Sequence, residues 1–282
     1  MTRVDVYAAR VGRCEGPLIR QSGGLVVCSI SHGCLYELAG SGPRQLADTA
    51  GGPSGLAEVL DGTLYVAQQG HYGHARQEPR IWGGVQQVSA EGQVSWLTQD
   101  PYCPNDLCVG PDGYIYLTDP SRRPWNDGRL WRIDPATGEA ELLQSVDYYP
   151  NGIGFALDDD ALFIASTSGR EILRYPLTPD GRLGTPDVFA TAPHGLPDGF
   201  AFDVDGNLIV CAVCLDEQPG ELQIFDRDGT LLDRLHPGPG SLYTNLAIGP
   251  DGAAYVTDTQ GEQVLVISDW ASPGLALHPF RP

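Results

Sequence analysis

Short apolar runs alternate with tight polar turns along this chain, and the alternation itself repeats. Six times a small polar residue opens an apolar run, a Gly- or Asp-rich turn follows, and a second apolar run returns: EGPLIRQSGGLVVCS, SGLAEVLDGTLYVAQ, NDLCVGPDGYIYLTD, NGIGFALDDDALFIAS, DGFAFDVDGNLIVCA and NLAIGPDGAAYVTD. The openers are Glu15, Ser54, Asn105, Asn151, Asp198 and Asn245, separated by 39, 51, 46, 47 and 47 residues. A repeat of this period marks an array or a closed ring. Each unit reads as strand, tight turn, strand, and no amphipathic stretch of helical length lies between units. The pattern therefore predicts an all-β fold, a six-bladed β-propeller with four antiparallel strands per blade.

Turn chemistry supports the hairpins. Gly23-Gly24, Asp61-Gly62, Asp112-Gly113, Asp158-Asp159-Asp160, Asp205-Gly206 and Asp251-Gly252 supply the positive φ that tight hairpins require. They lack the spacing and terminal Glu of an EF-hand, so they read as turns and not as calcium loops. Further strands are expected at Arg129–Ile133, Ile172–Tyr175, Glu221–Phe225 and Gln263–Ile267. Val4–Tyr7 and Gly274–Leu277 are the candidates for completing a shared blade that removes the open edge.

A propeller turns the list of openers into chemistry. Its innermost strands run along the central channel, so equivalent repeat positions converge on the axis. Here they are two carboxylates, three amides and a hydroxyl, all oxygen donors. That set suits one divalent cation, Ca2+ before Mg2+, Mn2+ or Zn2+. The alternative is a hydrated polar channel, but buried carboxylates are costly without a partner or metal.

Composition narrows the rest. All 282 residues fit a single propeller domain, 1–282, since closed all-β architectures accommodate this length. No apolar run reaches membrane-spanning length and the first residues lack a signal-peptide core, which predicts a cytoplasmic protein. A net charge of −19 opposes nucleic acid and anionic membranes as partners and leaves a small-molecule substrate. Every one of the 17 basic residues is Arg, so lysine Schiff-base chemistry is excluded. Seven cysteines in such a chain are expected to be free thiols. Cys211 and Cys214 point to opposite faces of a strand and have no partner pair for zinc. Nothing in the sequence fixes the oligomeric state.

The loops before the openers form one rim of the ring, the mouth of the channel. They carry Arg13, Cys14, Tyr102, Cys103, Tyr148, Tyr149, His194, Leu242 and Tyr243. The longest insertion, 68–84, holds His71 and His74 and is expected to cover or contact a substrate.

The segments Glu15-Gly-Pro17, Pro104-Asn-Asp106, Pro150-Asn-Gly152 and Leu196-Pro-Asp-Gly199 resemble, in order and spacing over nearly the whole chain, the motifs of the SMP-30/gluconolactonase/luciferin-regenerating family. The resemblance implies a divalent cation at the top of a six-bladed propeller, held by Glu15, Asn105, Asn151 and Asp198, with Asp106 behind them. It implies a hydrolase that opens lactones. The cation would polarise the carbonyl beside Asn105, and Asp198 is the first candidate for the base, with His194 in reserve. Substrate contacts are expected from Tyr102, Cys103, Asp106, Tyr149 and His71. In the sugar-lactone branch an Arg stands where this chain has Cys103, which argues against a simple aldonolactone. Thr118-Asp119-Pro120 is similar to the branch that accepts varied lactones. Three other readings compete: a phosphotriester hydrolase, a ring-forming or ring-opening enzyme like the strictosidine-synthase-like propellers, and a binding propeller without catalysis.

Overall fold

The computed structural model describes residues 3–39, 42–71, 81–120, 125–216, 218–270 and 272–281. Its strands form six four-stranded antiparallel sheets, each built from strands consecutive in sequence except one. Blades 1 to 5 start on the inner strands Cys14–Ile19, Pro53–Glu58, Leu107–Val109, Pro150–Phe155 and Leu196–Phe202. Blade 6 starts on Tyr243–Ile248 and takes its outermost strand, Val4–Ala9, from the other end of the chain. Val4–Ala9 pairs with Gln263–Ile267, so both ends of the propeller sequence share one sheet and the ring is closed.

The second half of the expected closure differs. Residues 274–277 form no strand; Gly274 makes a single bridge to Asp203. Instead this segment runs beneath the ring. The Gly274 N–H donates to Gly249 O of blade 6, Leu275 N–H to Phe202 O of blade 5, and Arg281 to Ala156 O and Asp159 of blade 4. These acceptors lie at the lower ends of inner strands, so the tail runs along the far end of blades 6, 5 and 4.

The core is distributed. Each large buried cluster joins two neighbouring blades: Leu18, Val26, Leu56 and Val66 between blades 1 and 2, for example, and Phe163, Phe200, Phe202 and Phe225 between blades 4 and 5. Facing sheets interdigitate their apolar side chains, which is why the alternating pattern of every strand has two buried faces in the inner strands and one exposed face at the rim of each blade.

Candidate metal and active site

Each opener sits where its inner strand slips register. The ladder shifts between Glu15 and Leu18, Pro53 and Leu56, Pro150 and Ile153, Pro197 and Phe200, and Tyr243 and Asn245. In blade 3 the Asn105 N–H donates to Thr118 O while Thr118 N–H donates to Asp106 O, so two residues face one there as well. A bulge of this kind bends the strand and re-aims a side chain. The residue after the opener is often Gly, and the reason is steric. A Cβ on Gly55 would stand 2.3 Å from Asp106 Oδ1, and one on Gly199 would stand 2.2 Å from the Asn245 carboxamide. Backbone latches hold neighbouring openers in place: Gly55 N–H donates to Asn105 O at 2.9 Å, and the Thr118 hydroxyl donates to Asn151 O at 2.6 Å.

The result is an acidic centre. Glu15, Asp106 and Asp198 are each half-buried, and the charge of Asp106 raises the proton affinity of both Glu15 and Asp198, to which Glu15 adds for Asp198. Burial pushes Glu15 up to about 8, with the charge of Asp106 adding to it and bonds from the Thr244 hydroxyl and Gly16 N–H opposing. Burial likewise lifts Asp106 to about 7, against bonds from Leu107 N–H, the Asn245 amide and Ile153 N–H. Asp198 rises well above the usual carboxylate range through burial and then through Glu15 and Asp106; only the Asn151 side chain opposes. None of the three carboxylates is relieved by an Arg or His among the described residues.

That imbalance is the test of fit for a cation. Three carboxylates and two amides, with no basic side chain among them, are what a hard divalent ion would neutralise. Among the described residues no three His, Cys, Asp or Glu side chains are grouped tightly enough to hold a metal on their own. A cation here would therefore also need the amide oxygens of Asn105 and Asn151. Asn245 donates its amide to Asp106 Oδ2 at 3.4 Å, reaching from blade 6 to blade 3. Asp106 is thus fixed by neighbours on several sides.

The expected substrate residues divide. Tyr102 is 57% exposed at the mouth, and Cys103 beside it is buried, its thiol facing Gln69 O. Both take their position from Asp119, which accepts Tyr102 N–H at 2.9 Å and Cys103 N–H at 2.8 Å. Tyr149 packs on Trp125 with ring centroids 5.6 Å apart. His71 accepts Ile81 N–H at Nε2, 2.7 Å away. His74, with the rest of 72–80, lies outside the described residues. Two expected rim aromatics turn inward: the Tyr148 hydroxyl bonds that of Tyr175 at 2.7 Å, and Tyr243 is fully buried, accepting Gly240 N–H. Trp82, 63% exposed on the rim insertion, is an aromatic that the repeat pattern does not single out. His194 also turns from the channel. Its Nε2 lies 3.1 Å from Cys214 Sγ and 3.2 Å from Pro219 O, within its own blade.

Against known proteins, the model of the SMP-30/Gluconolactonase/LRE-like region matches residues 13–260. A gluconolactonase of Zymomonas mobilis is 25% identical over 89% of this chain and 77% of its own. A 6-deoxy-6-sulfogluconolactonase of Pseudomonas putida is 30% identical over 68% of each. The chain spans half the length of the mouse adipocyte plasma membrane-associated protein, to which it is 29% identical over 69% of its own residues. Among solved structures, a gluconolactonase of Xanthomonas campestris superposes with a TM-score of 0.78 at 24% identity, covering 97% of this chain and 90% of that one. The calcium-binding protein regucalcin of Agrobacterium tumefaciens does so with a TM-score of 0.77 at 20% identity, covering 97% and 94%. At those identities the superpositions speak for the fold. The match of the family model over most of the chain goes further, and the chain belongs to the SMP-30/gluconolactonase/LRE-like family.

Proposed function

We propose that the protein is a divalent-cation-dependent lactonase, with Ca2+ as the best-suited ion. The observation that carries this reading is the group of three uncompensated carboxylates at the bulges, in a chain whose relatives include proteins named for lactone hydrolysis. Glu15, Asn105, Asn151 and Asp198 would hold the ion. When bound, it would supply a Lewis acid that polarises a lactone carbonyl.

The chain's own residues do the rest. Asp198 is the group for taking the proton of the attacking water, because it is a carboxylate of the same acidic centre and would stand beside an ion held there. Asp106 holds Asn245 and is itself held, which keeps the acidic centre from rearranging as charge moves. Asp119 fixes the Tyr102–Cys103 turn that borders the entrance. His194 is a weaker choice for a proton carrier, since its ring is engaged with Cys214 and Pro219.

The substrate is proposed to be less hydroxylated than a simple aldonolactone. Cys103 offers no guanidinium to sugar hydroxyls, and the rim presents Tyr102 and Trp82 instead. The experiment is a panel of lactones followed by proton release, with chelator and after calcium is restored. Alkyl- or aryl-substituted γ- and δ-lactones should turn over faster than gluconolactone, and chelator should abolish the reaction. Preference for gluconolactone would overturn the specificity. Hydrolysis of phosphotriesters alone, or of nothing on the panel, would overturn the lactonase reading.

A further inference from the structure

One cavity of the described residues lies outside the channel. It is a crevice of about 680 Å³ between blades 3 and 4, at the mouth end of the ring. Its floor is the Tyr148–Tyr175 hydroxyl pair, and one wall is Trp125, 40% exposed and braced from behind by Tyr149. Two carboxylates, Asp147 and Glu171, complete the lining, and among the described residues no Arg or His takes part in it. Tyr148 stands three residues before Asn151, a span of at most about 11 Å between their Cα atoms.

This volume is in the range that holds a small molecule. An exposed indole with phenol rings around it offers π faces, whose negative quadrupole attracts cations. Two carboxylates without a basic neighbour in the lining add to that attraction, and the net charge of −19 extends it. The same features repel anions. We propose that the crevice is a binding site for a small organic cation, an ammonium or guanidinium group seated on Trp125 between Asp147 and Glu171. It shares no carboxylate with the channel set, so it stands independently of the lactonase reading.

Calorimetry and tryptophan fluorescence on the calcium-loaded full chain test it, with choline as the probe and 3,3-dimethylbutan-1-ol as the neutral isostere. Calcium is kept saturating so that the channel carboxylates do not compete for the probe. Choline should bind saturably and quench fluorescence, and the neutral isostere should bind several-fold more weakly. Trp125→Ala should weaken choline by about 2- to 30-fold, the range expected for losing one cation–π contact. Glu171→Gln should weaken choline and leave the isostere unchanged, which keeps the test valid if Trp125→Ala fails to fold. Absence of saturation with choline, equal binding of the isostere, or choline binding unchanged in a folded Trp125→Ala or in Glu171→Gln would each overturn the proposal.

Discussion

At the scale of residues, the site is an electrostatic problem that the fold leaves unsolved. Glu15 and Asp106 are raised to about 8 and about 7, whereas in an unfolded chain such groups titrate near ~4. The folded protein therefore keeps protons that the unfolded chain has released across that interval. By linkage, the metal-free protein loses stability as pH rises from about 4 to 8. Denaturant unfolding in chelator at pH 5 and pH 8.5 should show the loss, and Asp106→Asn should flatten it by removing one of the repelling charges. A metal-free protein more stable at pH 8.5 than at pH 5 would contradict the assignment. Asp198→Asn has a different signature. It should lower turnover by ~10²–10⁴, as loss of a base or a transition-state ligand commonly does, with the melting temperature little changed. Activity and melt are read on one sample, and parallel loss of both would make the centre structural.

At the scale of elements, much of the propeller is written plainly. Alternation of period two and the Asp-Gly turns mark the hairpins, and the third strands expected at Arg129–Ile133, Ile172–Tyr175, Glu221–Phe225 and Gln263–Ile267 lie within Gly128–Ile133, Glu171–Pro176, Glu221–Phe225 and Gln263–Ile267. The bulges are less legible, because an extra residue in a strand leaves no residue type as its mark. Their trace is the small residue after the opener, whose meaning appears only when the next blade packs against it. Gly55→Ala and Gly199→Ala test that trace. Each new Cβ would overlap Asp106 or Asn245, so each should destabilise by about 1–3 kcal/mol and weaken the site with it. Denaturant melts and calcium affinity check this; a neutral outcome would mean that the inner strands have slack. Side-chain direction at the rim was also beyond the pattern. Tyr148, Tyr243 and His194 stand at rim positions in sequence, yet Tyr175, Gly240 and Cys214 draw them aside.

At the scale of the whole molecule, six interblade cores make a closed ring that meets the acidic centre at one end and the C-terminal segment at the other. Periodicity predicted that the ring closes and named Val4–Tyr7 for it, but a tail without a repeat pattern has no signal for where it docks. Its anchor is Asp159, which receives the buried Arg281 and lies 3.0 Å from His278 Nε2. Asp159→Asn preserves the positive φ that this turn residue needs and removes the charge. The expected cost is about 1–3 kcal/mol, with faster proteolysis of the tail and calcium binding retained. At the other end of the ring, calcium calorimetry at pH 7 in two buffers of different ionisation heat reads both the cation bound and the protons it displaces. One ion per chain should bind with release of on the order of one proton, because a centre that holds protons at neutral pH must give them up to take a cation. No binding at millimolar calcium, or binding without proton release, would contradict the account.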